Sequence, residues 1–201
     1  MKKLMFIAFS VMMAGMLSGQ PVIDLGLKTG ATVSTLHFRE NIPYFAKNAL
    51  NYHLGAFSRI GWGRLFVQPE VYFNSRGGIL KSTDNYATTA VANFDFSGVD
   101  VPLLAGVKLL KEEIIQCRIM AGPMLGFMTS RQVEPKPTFE QMFSKEYFQN
   151  HLFGWQFGWG LDYKIFSLDF RFERSRNSVY QSDDFTTKNN LFLVSFGIKL
   201  F

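Results

Sequence analysis

Between Phe153 and Asp162 the chain reads FGWQFGWGLD, with a bulky apolar residue at every second position. Phe153, Trp155, Phe157, Trp159 and Leu161 share one parity; Gly154, Gln156, Gly158, Gly160 and Asp162 share the other. A helix would scatter these residues around its circumference, whereas a strand sends alternate side chains to opposite faces. The stretch therefore reads as a strand with different media on its two sides.

The same period recurs seven times. Ile23, Leu25 and Leu27 oppose Asp24, Gly26 and Lys28, and Tyr52, Leu54 and Ala56 oppose His53, Gly55 and Arg59. Leu65, Val67, Val71 and Phe73 oppose Gln68, Glu70 and Asn74. Val101, Leu103 and Ala105 oppose Asp100, Gly106 and Lys108, and Cys117, Ile119 and Leu125 oppose Arg118, Gly122 and Gly126. Phe166, Leu168, Phe170 and Phe172 oppose Ser167, Asp169, Arg171 and Glu173. The last stretch sets Phe192, Val194, Phe196, Ile198 and Leu200 against Ser195, Gly197 and Lys199, which leaves the terminal Phe201 one step out of phase.

Short links near Gly61-Trp62-Gly63, Lys111-Glu112-Glu113 and Tyr163-Lys164 alternate with long ones, over Ser34–Asn51, Ser75–Asp95, Thr129–His151 and Ser175–Lys188. Eight antiparallel strands, with short turns at one end and long loops at the other, describe an up-and-down transmembrane β-barrel. A secreted soluble barrel of lipocalin type also alternates, so the chemistry of the two faces must decide. The apolar parity carries large aromatic and aliphatic groups without a charge, as a lipid-facing band requires. The polar parity carries glycines and charges balanced in sign. Asp24, Glu70, Asp100, Asp162, Asp169 and Glu173 stand against Lys28, Arg59, Lys108, Arg118, Arg171 and Lys199. Small residues beside paired ions suit a lumen that eight strands leave just wide enough for side chains. The twelve charges are expected to form a buried network, since an unpaired one would be heavily penalised. A narrow ion or proton path through them is the functional alternative.

The first residues, MKKLMFIAFSVMMAGMLSGQ, join a basic start to an apolar run and a small-residue Ser18-Gly19 site. This is the pattern of a signal peptide. The expected division is a leader over 1–19, cut near Gly19-Gln20, and a barrel domain over 20–201. The apolar run is shorter than the roughly 20 residues of a spanning helix. Cleavage removes Lys2 and Lys3 and no acid, so the net charge falls from +5 to +3. That mild balance, with basic residues scattered among acids, excludes a nucleic-acid footprint. Cys117 is the only cysteine, so an intramolecular disulfide is excluded.

The blocks LGLKTGATVSTL, YHLGAFSRIGWGRLFVQPEVYFNSRGG, VDVPLLAGVKL, IMAGPMLGF, FGWGLDYKIFSLDFRFERS and NNLFLVSFGIKL cover almost the whole mature chain. They resemble the PorT-like family of eight-stranded outer-membrane barrels of Bacteroidetes, related in shape to OmpX and the OmpA membrane domain. QPEVYFNSRGG and AGPMLG are the more specific pieces. The resemblance implies residence in the bacterial outer membrane among its lipids and assembly by the barrel-insertion machinery. It allows a link to protein secretion, with other envelope proteins met through the long loops.

Nothing in the sequence calls for a cofactor. His37, His53 and His151 show no metal-ligand spacing, and no phosphate loop, nucleophile elbow or paired-carboxylate motif occurs. Ser34, His37 and Asp183 could be assembled into a lipid-acting enzyme, but only their residue types suggest it. In the third long loop, Thr138 and Gln141 have capping-box spacing, and Phe139, Met142, Phe143 and Tyr147 fall near helical spacing. A short amphipathic helix is expected there, its apolar face capping the barrel, lying on the membrane surface or meeting a partner protein. The sequence thus predicts a non-enzymatic barrel, monomeric as a membrane unit, with a structural or interactive role.

Overall fold

A computed structural model of the chain describes residues 21–38, 44–84, 87–112, 114–135, 151–176, 180–181 and 186–201. Eight long strands make the wall: β1 (Val22–Phe38), β2 (Tyr44–Trp62), β3 (Leu65–Asp84), β4 (Ala87–Lys111), β5 (Ile115–Pro135), β6 (His151–Tyr163), β7 (Phe166–Ser175) and β9 (Thr186–Lys199). The two-residue β8 (Tyr180–Gln181) is a small ladder beside β9. Each long strand pairs antiparallel with its neighbour, and β9 returns to β1 from Gly26↔Lys199 to Phe38↔Thr187. The sheet therefore closes into an eight-stranded antiparallel barrel without the free edge that an open sheet would present.

Burial divides the wall by parity. On β6, Trp155, Phe157 and Trp159 face outward and stay about half exposed, while Leu152, Gln156 and Asp162 are buried. On β3, Val71 and Phe73 are exposed, whereas Gln68, Glu70, Tyr72 and Asn74 are buried. Large apolar groups on the outside and ionised groups on the inside reverse the order of a water-soluble barrel. The lipocalin-like alternative is thereby excluded on chemical grounds.

The short links have the form their residues dictate. Gly63 turns β2 into β3 at φ +60°, and Lys164 turns β6 into β7 at φ +53°. Gly63 is the natural occupant of that left-handed conformation, since it has no Cβ to clash. At the other end the expected long loops require correction. Within Ser34–Asn51 and Ser75–Asp95 the ladders continue, reaching Tyr44↔Ser82 on β2–β3 and Asp84↔Ala87 on β3–β4. β5 likewise runs on to Pro135. These strands of 19–25 residues exceed the roughly 9–11 that cross a bilayer. Hydrophobic alternation reports a difference of medium across the sheet. Backbone pairing needs no such difference, so these ladders run on past the stretches where alternation marks the sequence.

The chain end resolves its phase problem simply. β9 stops at Lys199; Leu200 takes the outward side, and Phe201 projects beyond the strand, 84% exposed. Both remain tied to β1, because Leu200 N donates to Leu25 O at 2.7 Å and Leu25 N donates to Phe201 O at 3.0 Å.

Candidate functional site: the charged lumen

Near the short turns the inward residues include Asp24 (β1), Arg59 (β2), Asp162 (β6) and Lys199 (β9). Arg59 Nη1 lies 2.6 Å from Asp162 Oδ2 and 3.7 Å from Asp24 Oδ2, and Lys199 Nζ stands 3.8 Å from Asp162. Arg118 (β5) bridges this layer to the next, bonding Asp162 through one terminal nitrogen and Asp169 and Ser167 through the other. Asp169 (β7) then meets Lys28 Nζ at 2.7 Å, and Lys28 meets Glu70 Oε1 at 2.6 Å. Glu70 Oε2 accepts from Arg171 Nη1 at 2.8 Å. Arg118, Arg171, Asp169 and Glu70 have essentially no exposed side-chain surface.

Glycine makes this crowding feasible at one position in particular. A Cβ on Gly160 would run into the Asp169 carboxylate and the Arg118 guanidinium. The inward glycine of β6 is therefore the space that the Arg118–Asp169 pair occupies.

Neutral groups extend the chain of contacts. Arg59 Nε donates to Gln68 Oε1 at 2.6 Å, and Gln68 Nε2 donates to Glu70 Oε1 at 2.5 Å. Farther from the short turns, Gln156 Nε2 lies 2.6 Å from Tyr72 Oη and 2.8 Å from Glu173 Oε2. His53 is bracketed by Thr32 Oγ1 at 3.0 Å and Ser195 Oγ at 2.8 Å. Asn74 Nδ2 donates to Asp100 Oδ2 at 2.9 Å. Aromatic rings pack among the cations, with Lys28 5.1 Å and Arg59 5.5 Å from the Phe57 centroid. Such contacts stabilise a desolvated cation further.

Of the twelve charges expected inside, eight are linked by the ion pairs from Asp24 through Arg59, Asp162, Arg118, Asp169, Lys28 and Glu70 to Arg171, and Lys199 approaches that chain at Asp162. Asp100 and Glu173 are buried beside Asn74 and Gln156, and Lys108 is buried with its Nζ near Gly61. The linking roles of Gln68, Tyr72, Gln156 and Ser195 are not marked by any motif in the sequence. Their parity was the only available signal. His53 is buried within the hydrogen-bonded lumen.

The candidate enzyme residues Ser34, His37 and Asp183 are described only in part. Ser34 and His37 lie in the β1–β9 ladder opposite Leu191 and Lys188, and Asp183 lies outside the described residues. Phe139, Met142, Phe143 and Tyr147 also lie outside them. The Ser195–His53 contact has nucleophile-and-base residue types, yet both residues are about 1% exposed, with no surface for a substrate to reach. Among the described residues, no group of three or more His, Cys, Asp or Glu converges as a metal site. Among the described residues the barrel interior holds paired ions together with buried apolar side chains, including Phe66, Leu104 and Met120.

A family model described as an outer membrane protein beta-barrel domain matches residues 20–181. No curated protein matches the sequence. Among solved structures, the outer membrane protein OprG of Pseudomonas aeruginosa is 12% identical, over 91% of this chain and 96% of its own, with a TM-score of 0.51. Ail, the attachment invasion locus protein of Yersinia pestis, is 15% identical over 89% of this chain and 99% of its own, with a TM-score of 0.46. Neisserial surface protein A is 9% identical over 88% and 97%, with a TM-score of 0.47. At such identities OprG supports the fold alone.

Proposed function

Because this chain belongs to the outer membrane protein beta-barrel domain family, we propose that it serves there as a non-enzymatic structural and interaction protein rather than as a pore. One observation carries the reading: the barrel interior is closed by its own side chains, with Arg118, Asp169, Arg171 and Glu70 almost wholly buried. An eight-stranded lumen is just filled by side chains, and here they are ionically tied. What the barrel offers its surroundings is its lipid-facing wall and the segments beyond the membrane, where β2 to β5 extend farthest.

The finer reading is that residues 1–19 are removed on export. The short turns and both mature termini then face the periplasm, as in such barrels generally. The resemblance to PorT-like barrels supports contact with other envelope proteins and a part in secretion.

Reconstitution of the purified barrel into planar bilayers tests the plugged reading. The account predicts a baseline without conductance steps; resolved steps of constant size would make the protein a channel. Incubation with labelled phospholipid or lipopolysaccharide tests the enzyme alternative, which requires turnover lost in His37→Ala.

A further inference from the structure

The outward face of β7 changes character near its end. Phe166, Leu168, Phe170 and Phe172 are followed on the same parity by Arg174 and then by Arg176 just beyond the strand, and both arginines are exposed. Arg174 sits opposite Trp155 of β6 and Asn190 of β9. Arg176 N donates to Phe153 O at 2.8 Å, which holds it beside the β6 edge. His151, exposed and on the outward parity of β6, stands one outward position beyond Phe153.

The placement matters because charge is rare on this wall. Among residues whose side chains are described, the exposed charged ones are Arg64, Glu112 and Lys164, all in the short turns, together with Arg174 and Arg176 at the opposite end. Eight positions separate Phe166 from Arg174, a rise of roughly 26 Å along a strand. At a tilt near 40° this is about 20 Å along the membrane normal, against an apolar band about 25 Å tall. Arg176 falls near the upper limit of that band. Taking Phe166 as the lower edge, Arg174 lies about 5 Å below that limit, so its long side chain reaches the headgroup level beside Arg176, in the leaflet away from the short turns. Below them runs an aromatic wall in which Phe157 and Phe172 lie 5.2 Å apart and Trp159 stacks on Phe170 at 4.5 Å.

We propose that Arg174 and Arg176, flanked by His151, bind the phosphate of an outer-leaflet lipid whose chains lie along the Trp155, Phe157 and Phe172 surface. Charge complementarity selects the occupant. A guanidinium pair matches phosphate oxygens in geometry and sign, and the aromatic surface continues from the clamp to hold the apolar part. The site depends on the outer-membrane setting but not on whether the lumen conducts.

Native mass spectrometry of the folded barrel released from neutral detergent tests it, with phosphatidic acid as the probe and diacylglycerol of the same chains and inorganic phosphate as comparisons. The expected result is one retained phosphatidic acid per barrel, with affinity reduced about tenfold or more in R174A/R176A, as loss of charge-assisted hydrogen bonds implies. Binding should be unchanged in R64A, which removes a cation at the opposite end. Equal binding by R174A/R176A, equal retention of diacylglycerol, or competition by inorganic phosphate at equal concentration would each overturn the lipid site. Heat-dependent gel mobility of each variant establishes that the barrel is folded, and the exposure of both arginines makes misfolding an unexpected cause of loss.

Discussion

Lys28 Nζ lies 2.6 Å from Glu70 Oε1, although β2 separates their strands in the wall. The pair crosses the barrel interior, and the same ammonium reaches Asp169 on β7 at 2.7 Å. One lysine thereby joins three strands through two carboxylates. The lumen is held by cross-barrel electrostatics in addition to the ladder.

Lys28→Met should destabilise the barrel by about 3–5 kcal/mol, because two buried carboxylates lose a shared counter-ion. Adding Glu70→Gln should restore part of the loss, since one stranded charge is then removed. Urea unfolding in lipid vesicles, followed by tryptophan fluorescence, measures both. A double variant at the sum of the single losses would show that the two residues act independently.

Gly160→Val should cost about 1–3 kcal/mol, as overpacking does, because its branches would enter the space of Asp169 and Arg118. The same urea experiment reads it. A near-neutral result would mean that this pair lies elsewhere in the lumen.

The β2–β3 connection offers a contrast between the two glycines that flank Trp62. Gly63→Ala should cost about 1–2 kcal/mol for its left-handed φ alone, since nothing lies within 4 Å of the added carbon. Gly61→Ala should be milder, since its added carbon meets atoms no nearer than 3.7 Å. Refolding from urea compares the two, and equal losses would contradict the backbone assignment.

On the outside, Phe157→Arg should cost about 2–4 kcal/mol if Phe157 faces the hydrocarbon near mid-bilayer. Vesicle unfolding free energies check this. An unchanged value would place that face in water.

Much of this was legible because two media meet across the wall. Phe157 and Gln156 differ in parity, and parity alone separates the half-exposed ring from the buried amide. The strand extensions were not legible, since the backbone pairs Tyr44↔Ser82 and Thr83↔Thr88 lie where the sequence does not alternate. Nor were partners inside the lumen. Lys28 and Asp169 are 141 residues apart, and only strand tilt and stagger decide which inward groups share a layer. Apolar residues of inward parity, Phe66 and Leu104 among them, broke the polar pattern because filling the interior also needs bulk.

Site-directed spin labelling in lipid vesicles, at Phe157→Cys and Gln156→Cys in a Cys117→Ala background, probes the assignment of the two faces most directly. Dissolved oxygen should relax the label at 157 strongly and a water-soluble nickel chelate should not, while the label at 156 should be shielded from both. Strong nickel relaxation at 157, with oxygen reaching 156 instead, would turn the barrel inside out and contradict the account.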